Sequence, residues 1–262
     1  MYESYVSQED YPTYYETLGG LRAKVAARIP IRPPAHVIDV ATGYAYFAVE
    51  LAQRVPDIRV TGIDISDDSI RNARATITAH GLHERIAVVM MDATRMPFAD
   101  RVFDMAVNFA GLEDIHMTRG RAGVSEVFGE VYRVLKPKAL FCFVVMPTDE
   151  METDAQKLEV ALFSYICNAT WLTVSEYRAL IRQTGFTVIE CETFATGKKL
   201  NAEQTRAEIR FACDHVPRIY GIKTPRFDDV WRKFGSAIEE HGCGHLSKTV
   251  LFITQKTQLE ET

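Results

Sequence analysis

The sequence predicts an α/β fold: a doubly wound, mostly parallel seven-stranded sheet with helices on both faces and a helical insertion before the last strand. Three observations lead there. Apolar, strand-like runs alternate with helical segments along the chain; the first run empties into the small-residue turn Ala41-Thr42-Gly43; and acids stand at the ends of the first three runs, at Asp39, Asp64 and Asp92.

The elements follow in order. Val37 to Val40 is the first strand, and the interval from Asp39 to Asp64 leaves room for a loop, the helix Phe47 to Arg54 and a second strand at Val60 to Ile63. That is one βαβ unit. A helix over Asp67 to His80 leads to strands at Ile86 to Met90 and Met105 to Asn108. The helix Ser125 to Leu135 stops at Pro137, which cannot continue one, and a turn leads to the strand Leu140 to Val145. Leu158, Ala161, Leu162, Tyr165 and Ile166 recur at helical spacing within Asp149 to Ala169. Thr173-Val174-Ser175-Glu176 is a capping box opening the helix Val174 to Thr184. Thr187 to Thr193 and Thr249 to Thr254 complete the sheet.

Acids at successive strand ends have a chemical use. In open α/β sheets ligands lie outside the carboxyl ends of the strands, where Asp39, Asp64 and Asp92 converge. S-adenosylmethionine (SAM) carries an α-ammonium, two ribose hydroxyls and an adenine amino group, all donors that carboxylates accept. The order of motifs resembles the class I SAM-dependent methyltransferases, and within them the small-molecule group that includes the ubiquinone and menaquinone C-methyltransferases. Asp39-Val40-Ala41-Thr42-Gly43, Gly62-Ile63-Asp64-Ile65-Ser66, Asp92-Ala93, Phe103-Asp104 and Arg133-Val134-Leu135-Lys136-Pro137 carry the resemblance, with an echo in Thr184-Gly185-Phe186.

The resemblance implies a Rossmann-like methyltransferase fold with SAM as cofactor. It implies a cofactor site built from Asp39, Ala41, Thr42, Gly43, Tyr44, Asp64, Ile65, Met91, Asp92, Ala93, Asn108 and Phe109. Two departures stand out: Ala45 replaces a glycine usual in the family's loop, and Lys138-Ala139 replace a usual glycine pair. Alanine fits the first position if its backbone keeps a negative φ.

A nicotinamide site is the competing reading. The loop holds one glycine, Gly43, where a dinucleotide fingerprint needs three. Tyr132 and Lys136 have the spacing of short-chain dehydrogenases, yet Pro137 directly after Lys136 argues against the helix that family places them on.

Composition fits a compact enzyme: 262 residues, 47% hydrophobic, with a net charge of −5 that gives no reason to expect nucleic acid. No apolar run nears the roughly 20 residues that span a bilayer, and Met1-Tyr2-Glu3-Ser4 lacks the basic start of a signal peptide, so the cytosol is expected. The five cysteines show no metal or redox spacing. His241-Gly242-Cys243-Gly244-His245 is the one cluster that brings metal-binding types together, and it reads better as a glycine-rich turn, so no metal is expected.

Four segments are expected: a lid or helical arm over 1–34, a SAM-binding core over 35–196, a helical cap over 197–247 and a last strand over 248–256. The first holds Tyr2, Tyr5, Tyr11, Tyr14 and Tyr15. In the third, Phe227, Val230, Trp231, Phe234 and Ile238 mark one apolar helix face, and Ile209, Cys213 and Val216 another. Such faces suit a cap over a small-molecule acceptor, or a homodimer contact. The loop Asn108 to His116 borders the transferred methyl in the family, which makes His116 a candidate base and Glu113 a second catalytic candidate, with Glu113 and Asp114 each read as electrostatic support or as solvated charge. The function expected is methyl transfer to oxygen, nitrogen or carbon on a small molecule. A SAM-binding protein without turnover would show the same cofactor motifs.

Overall fold

The computed structural model describes residues 20–257; the five tyrosines above lie outside them. Strands β1 (Ala35–Val40), β2 (Ile58–Asp64), β3 (Ile86–Met90), β4 (Phe103–Phe109) and β5 (Leu135–Val145) run parallel. With β6 (Phe186–Ala195) and β9 (Lys248–Lys256) they form one seven-stranded sheet in the order β3-β2-β1-β4-β5-β9-β6. β9 pairs antiparallel with both β5 and β6. The order reverses between β1 and β4, the switch point outside whose carboxyl ends folds of this kind hold their ligands.

Side chains alternate across the pleat, so each strand feeds two cores. On one face Val37, Val60 and Val107 pack under α1 (residues 20–26), α2 (Tyr46–Arg54) and α3 (Asp67–Ala79). On the other, Ile38, Ile63 and Phe141 pack under α4 (Leu112–Val134) and α6 (Val174–Gln183). Phe128 of α4 is the hub of that second layer, with its ring 5.2 Å from those of both Phe141 and Phe143. Full burial of each such side chain contributes about 1.5 to 3 kcal/mol.

A third apolar cluster lies outside the sheet. It joins Leu162 and Ile166 of α5 (Asp154–Cys167) to Ile209, Ala212 and Val216 of α7 (Ala202–Tyr220) and to Val230, Phe234 and Ile238 of α8 (Phe227–His241). The minimal ladder of β7 (Lys199–Leu200) with β8 (Cys243–Gly244) ties the two ends of the insertion together. The glycine-rich stretch from His241 to His245 is thus the end of α8 and a short strand. No metal-binding cluster occurs among the described residues.

Three expectations change. The stretch after β4, expected as a loop, begins α4 at Leu112. Gly120, at φ 66° and ψ −168°, interrupts that helix and hides its periodicity from the sequence. β5 makes its first pairing at Leu135 and resumes at Leu140 after an irregular stretch, where Lys138 takes a φ of 63°. Ala45 does not keep a negative φ: Ala41, Gly43 and Ala45 all lie in the left-handed region, at 52°, 55° and 62°. The tyrosine and lysine of the dehydrogenase-like spacing also part company, Tyr132 donating to the Thr257 carbonyl and Lys136 pairing with Asp104 at 2.6 Å.

Lys138 is exposed, so its backbone strain is separable from the site. Lys138→Gly should raise stability by about 0.5 to 1 kcal/mol, because relief of the left-handed penalty exceeds glycine's entropy cost. Urea unfolding measures this; a loss of stability would contradict the strain.

Candidate active site

The first strand-end loop is shaped by the acid of the second strand. Asp64 accepts from the Gly43 amide through Oδ2 and from the Ser66 amide through Oδ1, both at 2.9 Å. One carboxylate thereby pins two loops. Its grip accompanies the run of left-handed residues, which turns the chain sharply enough for α2 to start at Tyr46.

Close approach also dictates two glycines. A Cβ on Gly62 would meet the Thr42 side chain at 2.9 Å, and one on Gly111 would meet Ala41 Cβ at 2.7 Å. Thr42 donates to Asp39 at 2.6 Å, and Asn108 donates to the Val40 carbonyl at 2.7 Å, which locks β4 to β1 at the crevice floor.

The three acids have different surroundings. Asp39 is 1% exposed, and burial pushes its carboxyl up to about 7; Asp64 adds to this, while the Thr42 hydrogen bond and Arg22 oppose it. Burial likewise raises Asp64, against its backbone hydrogen bonds. For Asp92 partial burial is outweighed by two hydrogen bonds from Thr94 and by Arg119, 2.7 Å away, so its pKa falls below the ordinary value.

The remaining expected residues line the same edge. Ile65, beside Asp64, is 36% exposed and offers an apolar surface there, whereas Met91 and Ala93 pack partly into the second core. Tyr44 is buried with its hydroxyl 3.4 Å from Asp68, and Phe109 packs on Phe47.

The start of α4 divides its side chains. Glu113 turns to β5, where Oε1 accepts from the Met146 amide at 2.6 Å; Oε2 is buried without a partner among the described residues. Burial raises this acid to about 7. His116, one turn on, is 9% exposed, with Nδ1 also unpartnered. Burial first, and then Arg121, lower its pKa against the pull of Glu176, the acid of the capping box that Thr173 opens on α6. Both expected catalytic residues therefore face the α6 side of the helix.

Sequence reasoning missed Arg22 and Tyr220, and it left Asp114 between electrostatic support and solvated charge. Asp114 is partly buried, its pKa raised to about 7 by burial and Glu113, with Asp64 adding to this and a hydrogen bond from Tyr220 of α7 opposing it. Arg22 of α1 is buried over the rings of Tyr46 and Phe109, 5.4 and 5.5 Å from their centroids, close enough to Asp39 to lower its pKa. No motif marks Arg22 or Tyr220; Asp114 was visible but sat in a stretch taken for a loop.

SAM fits this donor and acceptor set. Acids at three adjacent strand ends match its ammonium, hydroxyl and amino donors, and an arginine near Asp39 complements its carboxylate.

Residues 37–138 match a family described as a methyltransferase domain. That stretch takes in all three strand-end acids and is similar to the SAM-binding domain of methyltransferases. It is 24% identical to 27-O-demethylrifamycin SV methyltransferase of Amycolatopsis mediterranei, over 92% of this chain and 86% of that one. Demethylmenaquinone methyltransferase of Symbiobacterium thermophilum is 32% identical over 44% of each chain. The chain spans about half the length of most curated relatives it matches. Among solved structures, geranyl diphosphate C-methyltransferase from Streptomyces coelicolor, in complex with Mg2+, geranyl diphosphate and S-adenosyl-L-homocysteine, shares the fold. Its TM-score is 0.60 at 11% identity, over 92% of this chain and 80% of that one.

The raised acids have a thermodynamic consequence. Asp39, Glu113 and Asp114 hold protons in the folded protein that the unfolded chain releases near its ordinary values of 3.8 to 4.5. Their contribution is complete below those values and is lost as pH rises through about 7. His36, His116 and His245, lowered from 6.5, act in the opposite sense only below that value. The cofactor-free protein should therefore melt at a lower temperature at about pH 8 than at about pH 6.5, and Asp39→Asn should reduce the difference. Calorimetric melts that show no difference would contradict the raised pKa values.

Proposed function

We propose that this chain transfers the methyl group of SAM to an oxygen, nitrogen or carbon atom of a small molecule held between the sheet's carboxyl edge and the helices α5, α7 and α8. The observation that carries the reading is the convergence of Asp39, Asp64 and Asp92 at three adjacent strand ends, beside a helical layer that the sheet itself does not require.

In this reading Asp92 accepts from the adenine amino group and Asp64 from the ribose hydroxyls, with Ile65 against the purine face. Asp39 and Arg22 serve the ammonium and carboxylate of the methionyl end. SAM supplies an electrophilic methyl on a sulfonium. The chain supplies position and exclusion of water: methyl transfer needs an acceptor atom in line with the leaving sulfur at near-attack distance, and orientation alone contributes much of the rate. Gly111 lets the start of α4 close against Ala41, which brings the acceptor-side helix onto the cofactor loop. The relatives named above as rifamycin and menaquinone methyltransferases support a small-molecule acceptor.

No helix among the described residues is long and apolar enough to cross a membrane.

Incubation with methyl-tritiated SAM and a metabolite extract tests the reading. Label should appear in a small-molecule fraction, and the mass of the product names the acceptor. SAM binding by calorimetry with no label transferred to any fraction would instead favour a SAM-binding role without turnover.

A further inference from the structure

Glu113 and Asp114 stand side by side in the first turn of α4, about 100° apart around the helix. Glu113 faces β5 and the ring of Tyr177, in the second core. Asp114 lies toward the helical layer, one turn before Met117 of the third cluster and hydrogen-bonded by Tyr220 of α7. Its carboxyl feels the charges of Glu113 and of Asp64 at the end of β2, and it raises in turn the pKa of the Cys167 thiol of α5. Asp114 thus stands where the cofactor acids end and the helical layer begins.

The surroundings on the layer's side are apolar. Met117, one turn from Asp114 on α4, packs with Cys167, Ile166 and Val216 in the third cluster. Tyr220 is the last residue of α7, followed by Gly221 at φ 66°, so its ring is fixed at a helix end that stops there. A hydroxyl donated from α7 to a carboxylate on α4 joins the layer to the core at this point.

We infer that Asp114 is the group that takes the acceptor's proton, that Tyr220 holds its carboxylate in place, and that the acceptor is a largely apolar molecule bearing a weakly acidic hydroxyl, amine or activated carbon. The inference rests on the methyl-transfer reading and adds the acceptor side to it. The electron pair of the acceptor's X–H bond forms the new X–C bond, the proton passes to Asp114, and the pair of the broken S–C bond returns to sulfur, which loses its positive charge. Solvent then removes the proton from Asp114. A carboxyl raised to about 7 is matched to this task near neutral pH, since a base works best with its pKa near the working pH. His116, on the α6 side of the helix, is left without a part in the step.

The test compares wild type, Asp114→Asn and Tyr220→Phe in methyl-tritiated SAM with a metabolite extract, following initial rate against pH, with SAM affinity measured alongside by calorimetry. Asp114→Asn should cut the rate about 10²- to 10⁴-fold and remove the acidic limb of the profile. Its SAM affinity should change by no more than about threefold, which separates proton acceptance from a folding or binding defect. Tyr220→Phe removes a hydrogen bond to the charged carboxylate, so the acidic limb should move to higher pH while the rate at high pH largely survives. A purely packing role would leave that limb where it is. If wild type labels an acceptor and Asp114→Asn keeps its rate and pH profile, the assignment falls while methyl transfer stands. If wild type binds SAM and labels nothing, the methyl-transfer reading falls and takes the assignment with it.

Discussion

Buried negative charge is the constraint on which this site depends. Asp39 and Asp64 each raise their pKa through burial, Asp39 rises further because of Asp64, and Asp114 feels both Glu113 and Asp64. Such a cluster is costly when ionised in a poorly solvated crevice. Part of the cost is met by the chain: Thr42 donates to Asp39, the Gly43 and Ser66 amides donate to Asp64, and Arg22 lies near Asp39. A ligand carrying a sulfonium and an ammonium, as the proposed function requires, would offset the rest. The same carboxylates that shape the cofactor loop therefore also prefer a cationic ligand, which ties fold and ligand choice to one electrostatic fact.

The geometry of the loop follows from that fact. Asp64 holds Gly43 from the neighbouring strand, and the chain on either side of Gly43 adopts left-handed backbone at Ala41 and Ala45, where alanine is strained. Gly62 and Gly111 are the points at which the flanking strand and helix come too close for any side chain. The Tyr220 hydroxyl of α7 donates to Asp114 at the start of α4, and Gly111 lets that helix start close on the loop at Ala41.

Much of this was legible in the sequence, for physical reasons. Strands buried on both faces read as continuous apolar runs, and an acid at the end of such a run is conspicuous, which is why Asp39, Asp64 and Asp92 stood out. The capping box at Thr173 was equally plain, because its side-chain and backbone partners lie three residues apart. The start of α4 was not: Gly111 gives no side-chain cap, the first turn is half charged, and Gly120 breaks the period. The left-handed φ of Ala45 was hidden because a tertiary contact, and not the residue type, goes with it. Arg22 and Tyr220 reach the site from helices distant in sequence, with no local pattern to announce them.

The claim that the strand-end acids hold the cofactor is tested most directly by calorimetric titration of SAM into wild type, Asp64→Ala and Asp64→Asn, with circular dichroism as a check on folding. A charge-assisted hydrogen bond of this kind contributes about 1.5 to 3 kcal/mol, so affinity should fall about ten- to hundredfold in Asp64→Ala and less in Asp64→Asn, which keeps one acceptor. Unchanged affinity in both folded variants would remove Asp64 from the cofactor site and contradict the account.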